Sequence, residues 1–118
     1  MQRALPLPSA DALLQRLTGD LARCHIAVAR SGPEIVAFVA YDPDQRWLRQ
    51  LFVHPASQGL GIGTRLLATA MQAMPYGWLR TDATNEHARR FYLRRGLRVR
   101  RIGTHPITGA PTVEFEWP

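Results

Sequence analysis

Leu51-Phe52-Val53-His54-Pro55-Ala56-Ser57-Gln58-Gly59-Leu60-Gly61-Ile62-Gly63-Thr64 is the stretch that decides how the chain folds. Its first residues are apolar and β-prone, His54-Pro55 closes that run, and a glycine at every second position leads into a helix. The helix is read from Ile62, Leu66, Ala70 and Leu67, Met71, Met74, which recur at helical spacing, and Pro75-Tyr76-Gly77 breaks it. Residues without a Cβ let backbone N–H groups close around a phosphate at the positive end of a helix, so this loop carries the strongest chemical signal in the sequence. A Walker A loop is excluded, because it needs a lysine and the chain contains none. A dinucleotide fingerprint beginning at Gly59 and Gly61 meets Thr64 where the third glycine belongs, although Asp82 stands about 20 residues on. His54 to Gln58 also separate the strand from the first glycine, where the dinucleotide fold needs a tight turn.

Upstream, the strand before the loop covers Trp47 to Val53, and Asp42-Pro43-Asp44 turns the chain into it. Cys24 to Arg30 and Glu34 to Tyr41 form two β-prone runs around Ser31-Gly32-Pro33, a hairpin signature. Ser9 caps an amphipathic helix over 10–18, with Leu13, Leu14 and Leu17 as its stripe and Gly19 as its stop. Downstream, Trp78 to Asp82 is a short strand, and a strand, helical crossover and strand imply a parallel pair with a right-handed connection. Thr84-Asn85 opens a second helix with Ala88, Phe91 and Tyr92 as its stripe, and Gly96 is placed for a left-handed cap. Arg98 to Thr104 and Pro111 to Trp117 follow as strands. In the last, Val113, Phe115 and Trp117 face one way and Thr112, Glu114 and Glu116 the other. The expected architecture is α/β (mixed α+β): a central mixed, mostly antiparallel sheet flanked by helices.

The chain has 118 residues and is 46% hydrophobic and 20% charged, which suits one domain over 1–118 and argues against disorder. No apolar run approaches the ~20 residues of a membrane span, and two prolines interrupt the first eight residues where a secretory signal needs an apolar run. A cytoplasmic location without membrane contact is the expectation. Cys24 is the only cysteine, so no internal disulfide forms, and it reads as a small buried hydrophobe. It precedes His25, but adjacent strand residues point to opposite faces, which rules out a nucleophile–base pair. Histidines at 25, 54, 87 and 105 lack zinc spacing, so no metal is expected. The net charge is +6 and all 15 basic residues are arginine, seven of them between 89 and 101. That cluster reads as a solvated basic face or as a surface for phosphate or an acidic partner. No recognisable RNA-binding motif accompanies it, so nucleic acid is not the expected partner.

Gln58-Gly59-Leu60-Gly61-Ile62-Gly63 resembles the [RQ]xxGx[GA] pyrophosphate loop of the GNAT superfamily of acyl-CoA-dependent N-acetyltransferases. Leu51-Phe52-Val53-His54-Pro55 resembles the strand that these enzymes place before the loop. Asn85, Ala88, Phe91, Tyr92 and Gly96-Leu97 resemble their N..A..FY...GF helix. The two motifs stand in the family's order and cover about residues 47–97, with flanking strands that fit in number and order.

The resemblance implies a GNAT-like sheet whose parallel strands splay apart, so that the pantetheine of acetyl-CoA pairs with the exposed backbone of Leu51, Phe52 and Val53. The amides from Gln58 through Gly59, Leu60, Gly61, Ile62 and Gly63 to Thr64 would hold the pyrophosphate, and Arg65 or an arginine of the 89–101 cluster would reach the outlying phosphate. A backbone N–H near Phe52 or Val53 would meet the oxyanion, and Asn85 would approach the cofactor arm besides capping its helix. Tyr92 takes the family's general-acid position, protonated at neutral pH with an ordinary pKa near 10. The strand before the loop offers Arg49 and Gln50 where many members carry a glutamate base, which leaves His54, His25, Glu34, His105 or ordered water to take the amine's proton. His54 also reads as a turn residue before Pro55.

By the same resemblance, the product is an N-acetylated primary amine, formed by direct attack in a ternary complex on a small-molecule or peptide acceptor. Residues 1–23 are short beside the family's usual strand and two helices, which implies an open acceptor site or one completed by a partner subunit, as in a homodimer. The competing class is a non-catalytic acyl-CoA sensor on the same fold.

Overall fold

The computed structural model describes residues 9–17, 19 and 21–118. In chain order its elements are α1 (Ala10–Arg16), β1 (His25–Ser31), β2 (Glu34–Asp42), β3 (Trp47–Val53), α2 (Ile62–Ala73), β4 (Gly77–Asp82), α3 (Glu86–Arg94), β5 (Arg98–Thr104) and β6 (Pro111–Trp117), with a 3-10 turn at Pro55–Ser57. The six strands form one sheet in the order β1-β2-β3-β4-β6-β5. All pairings are antiparallel except β3 with β4. This is the mixed, mostly antiparallel sheet that the pattern of runs predicts.

Ser9 caps α1 as read, its side chain accepting from the Ala12 N–H at 3.0 Å. The helix ends two residues earlier than the 10–18 reading, with Leu17 at its C-cap, and Thr18 lies outside the described residues. β1 is shifted one residue from the expected Cys24–Arg30, while β3, β5 and β6 match their predicted bounds.

Two apolar layers sandwich the sheet. Leu66, Leu67 and Ala70 of α2, Met74 at its C-cap and Tyr92 of α3 pack on the face that carries Val39, Leu48, Leu79, Val113, Phe115 and Trp117. α1 covers β2 from the other side, where Ala10 and Leu21 meet Phe38 and Ala40, with Phe52 packed beside them. The alternation of β6 therefore reads correctly for Val113, Phe115 and Trp117. Its opposite face is not a solvent face, however, since Thr112 and Glu114 are buried there. Arg80 of β4 and Arg100 of β5 close over the Glu114 carboxylate at 3.4 and 3.3 Å.

The feature that positions the site is the short contact between β3 and β4. Their register is a single pair, Trp47 with Trp78, supported by the Trp78 N–H donating to the Arg46 carbonyl at 2.9 Å. The two indoles stack with centroids 5.1 Å apart and planes 2° from parallel. Beyond that point the strands diverge, so Leu51, Phe52 and Val53 have strand pairing with β2 only. A bulge between Ala40 and Tyr41 in the β2–β3 register falls opposite Arg49.

Candidate active site

Bond alternation along an antiparallel pair fixes which way the main chain of β3 faces. The His54 N–H donates to the Val36 carbonyl at 2.8 Å, so Phe52, two residues back, also turns its N–H and C=O towards β2. Leu51 and Val53 consequently turn theirs the opposite way, into the opening between β3 and β4. Of the two residues between which the sequence left the oxyanion donor open, Val53 therefore has its N–H in the opening and Phe52 does not.

The glycine loop follows immediately. Gly59 and Gly61 have φ of 82° and 80°, a left-handed conformation that a residue with a Cβ adopts only at a cost. Gly61 is the N-cap of α2, and the first intrahelical bond runs from the Arg65 N–H to the Gly61 carbonyl at 3.1 Å. The N–H groups of Ile62, Gly63 and Thr64 thus open the helix ahead of any intrahelical acceptor, at its positive end. Gln58 ties the loop to the strand, its Nε2 donating to the Val53 carbonyl at 3.1 Å.

These parts meet in a cleft of about 470 Å³. Leu51, Phe52 and Val53 form one wall, Gln58, Gly59, Gly61, Ile62, Gly63 and Thr64 the floor, and Asn85 and Tyr92 the opposite wall. The remaining predicted residues stand apart. Leu60 points its side chain outward, 73% exposed, so only its main chain is available to the loop. Arg65 is exposed and does not line the cleft. His54 is also outside it. Its Nδ1 accepts from the Ala56 N–H at 3.1 Å as the cap of the 3-10 turn, which places the proton of the neutral ring on Nε2 and leaves no free lone pair for a base. His105 is similarly engaged, its Nδ1 accepting from the N–H groups of Ile107 and Thr108.

His87 and Arg95 also line the cleft, and the sequence reading named neither individually. His87 sits at the rim on the first turn of α3. Arg95 directs Nε and Nη2 to the Thr64 hydroxyl at 2.9 and 2.6 Å, with its guanidinium 4.7 Å from the Phe91 ring centroid. A positive charge is thereby fixed beside the N-terminus of α2. Four others of the cluster are engaged elsewhere: Arg89 donates to the Ala83 carbonyl, Arg90 pairs with Glu86, and Arg98 and Arg100 pair with Glu116 and Glu114.

Asn85 caps α3, accepting from the Ala88 N–H at 3.1 Å, which leaves its amide NH₂ free to donate into the cleft. Tyr92 is 8% exposed, with its ring 5.3 Å from Phe91 and 5.6 Å from Phe115. Burial pushes its phenol up to about 12. Cys24 is outside the cleft, and its thiol is raised first by burial and then by Asp42, with Arg49 opposing, so it is a poor nucleophile.

The family model for the Acetyltransferase (GNAT) family matches residues 3–97. The chain belongs to that family. Solved structures of GNAT enzymes share its fold. Naa50 from Arabidopsis thaliana, in complex with the bisubstrate analogue CoA-Ac-MVNAL, superposes with a TM-score of 0.70 at 18% identity, covering 79% of this chain and 72% of its own. Ard1 from Thermoplasma volcanium gives 0.74 at 18%, covering 87% and 78%. The ribosomal-protein-S18-alanine N-acetyltransferase from Escherichia coli gives 0.72 at 19%, covering 98% and 79%. A search of curated proteins finds no match. Among the described residues, no group of three or more His, Cys, Asp or Glu side chains converges as a metal site, and no helix is long and apolar enough to cross a membrane.

Proposed function

We propose that this GNAT-family protein transfers an acetyl group from acetyl-CoA to a primary amine, by direct attack within a ternary complex. The observation that carries the reading is the alignment along one cleft of three parts: a strand edge with the Leu51 and Val53 main chain unpaired with β4, a glycine loop at a helix N-terminus, and the Tyr92 hydroxyl-bearing ring on the facing wall.

Each part meets a different portion of the co-substrate. The N–H groups of Ile62, Gly63 and Thr64 hold the pyrophosphate, and Arg95, fastened to Thr64, is the member of the 89–101 cluster that adds a charge there. The Leu51 main chain offers β-type hydrogen bonds to the amide-bearing pantetheine arm. The Val53 N–H faces the thioester carbonyl and stabilises the charge that develops on its oxygen. Tyr92 donates to the departing sulfur. None of His54, His25, Glu34 and His105 lines the cleft, so ordered water takes the ammonium's first proton before attack. The amine's second proton is released as the C–N bond forms and the C–S bond breaks, and it passes to the departing thiolate.

Acetyl-CoA at ~100 times its dissociation constant is expected to stabilise the protein by about 2.7 kcal/mol, a shift of ~10 °C or more in the unfolding midpoint, with NAD and a short RNA giving none. No shift with millimolar acetyl-CoA overturns the assignment of the loop.

Arg95→Ala is expected to weaken acetyl-CoA by about tenfold in titrations at low salt, the scale of one charge-assisted hydrogen bond, and by less as salt screens the charge. Arg65→Ala, outside the cleft, is expected to change the affinity less. Equal losses for the two variants would mean that the contribution is general surface charge.

A further inference from the structure

With the co-substrate in the cleft on the α2–α3 face, as proposed above, the other face of the sheet at the β3–β4 opening is left for the second reactant. Strand alternation states what waits there. Leu79 faces the α2–α3 layer, so its neighbours in the alternation, Trp78, Arg80 and Asp82, face away from it. On that side Arg80 is incompletely partnered. Its Nη2 makes one long contact of 3.4 Å with Glu114 Oε2, and its Nε is buried without an acceptor. Glu114 cannot complete the fork, because its Oε1 lies against Arg100 Nε at 3.3 Å. Arg80 keeps 25% of its side chain exposed, with its Cζ 5.4 Å from the Trp78 ring centroid, so part of the side chain is open to an outside anion. Asp82 follows two residues later, at the wide end of the opening, exposed and, among the described residues, with no ion pair or side-chain hydrogen bond.

The strand bordering the opening therefore presents a cation with unused donors and, ~7 Å further along, an anion with unused acceptors. We propose that the acceptor is an amino acid, its carboxylate taken by Arg80 and its ammonium drawn towards Asp82 before attack. The proposal rests on the acetyltransferase reading for the position of the reacting amine. An arginine suits this role because its planar fork binds a carboxylate through two parallel hydrogen bonds.

The test is equilibrium binding to the protein saturated with CoA, using the common amino acids, each beside its carboxamide. The expected result is at least one amino acid that binds about tenfold tighter than its amide. In Arg80→Gln that preference falls to within about twofold, and Arg80→Lys retains part of it. The thermal shift produced by CoA, measured on each variant, confirms that the fold and the opposite cleft survive. If no amino acid binds at millimolar concentration, or if amides bind as well as acids, the proposal is overturned. The readout does not require turnover. A protein that prefers the acid and acetylates nothing overturns the acetyltransferase reading and leaves Arg80 as the carboxylate site. A protein that acetylates acids and amides alike overturns the role of Arg80 alone.

Discussion

Tyr92→Phe is expected to lower kcat for amine acetylation by about 10²-fold while leaving the acetyl-CoA thermal shift unchanged. The substitution is close to isosteric, and the ring it keeps is the part packed against Phe91 and Phe115, so the wall of the cleft survives. What disappears is one hydroxyl. Burial holds that hydroxyl up to about 12, so it stays protonated across the working range. A thiolate with a pKa near 8.5 is ~3.5 units too weak a base to strip a proton from it. Tyr92 therefore acts by donating a hydrogen bond to the sulfur as its charge develops. Two results follow. The pH profile of kcat/KM should rise as the neutral fraction of the amine grows, and should show no alkaline fall from loss of the Tyr92 proton up to about pH 10. An alkaline limb present in the native enzyme and missing in the Phe variant would show that the phenol ionises within reach of neutrality. Equal turnover by the two proteins would remove Tyr92 from the chemistry, and acetyl-CoA binding with no turnover by either would make the chain a sensor.

Residues that announce themselves by local pattern were legible in the sequence, and residues whose role depends on a distant neighbour were not. β6 alternates cleanly, and β3 and β6 are both bounded by turn residues, so their limits could be read directly. The glycine loop was readable because left-handed φ and a helix start both leave marks in composition. Arg95 was one of seven arginines with nothing local to distinguish it. Its partner Thr64 is 31 residues earlier in the chain. Glu114 alternates outward as read, yet outward in the interior of a six-stranded sheet means towards the side chains of neighbouring strands, and Arg80 and Arg100 bury it. For His54 the sequence offered two roles, a base or a turn residue. The deciding fact is an N–H two residues away pointing at Nδ1, and spacing does not encode that angle.

Gly77→Ala carries the largest expected effect on the fold, and it reaches the site through the splay of the strands. Read locally, Gly77 is the last of three helix-breaking residues. Its surroundings give the stronger reason. A Cβ there would lie 2.5 Å from Trp117 Cζ2 and 2.8 Å from the Arg46 carbonyl oxygen, both closer than packing allows. Neither neighbour yields easily. Trp117 is 3% exposed and its Nε1 donates to the Met74 carbonyl at 2.7 Å, while the Arg46 carbonyl accepts the Trp78 N–H that joins β3 to β4. Relieving the contact means moving β4 away from β3 at the one point where they pair. The expected loss is about 2 kcal/mol, or ~10 °C in the unfolding midpoint, together with a smaller acetyl-CoA shift because the opening beyond Trp47 and Trp78 changes width. Gly103→Ala is the matched control. It also lies in a strand, and its Cβ would meet nothing nearer than Arg101 Nε at 3.7 Å, so it should cost much less. An equal midpoint for the two variants would mean that Trp117 is free to shift, and the pairing at Trp47 and Trp78 would then not be what fixes the geometry of the cleft.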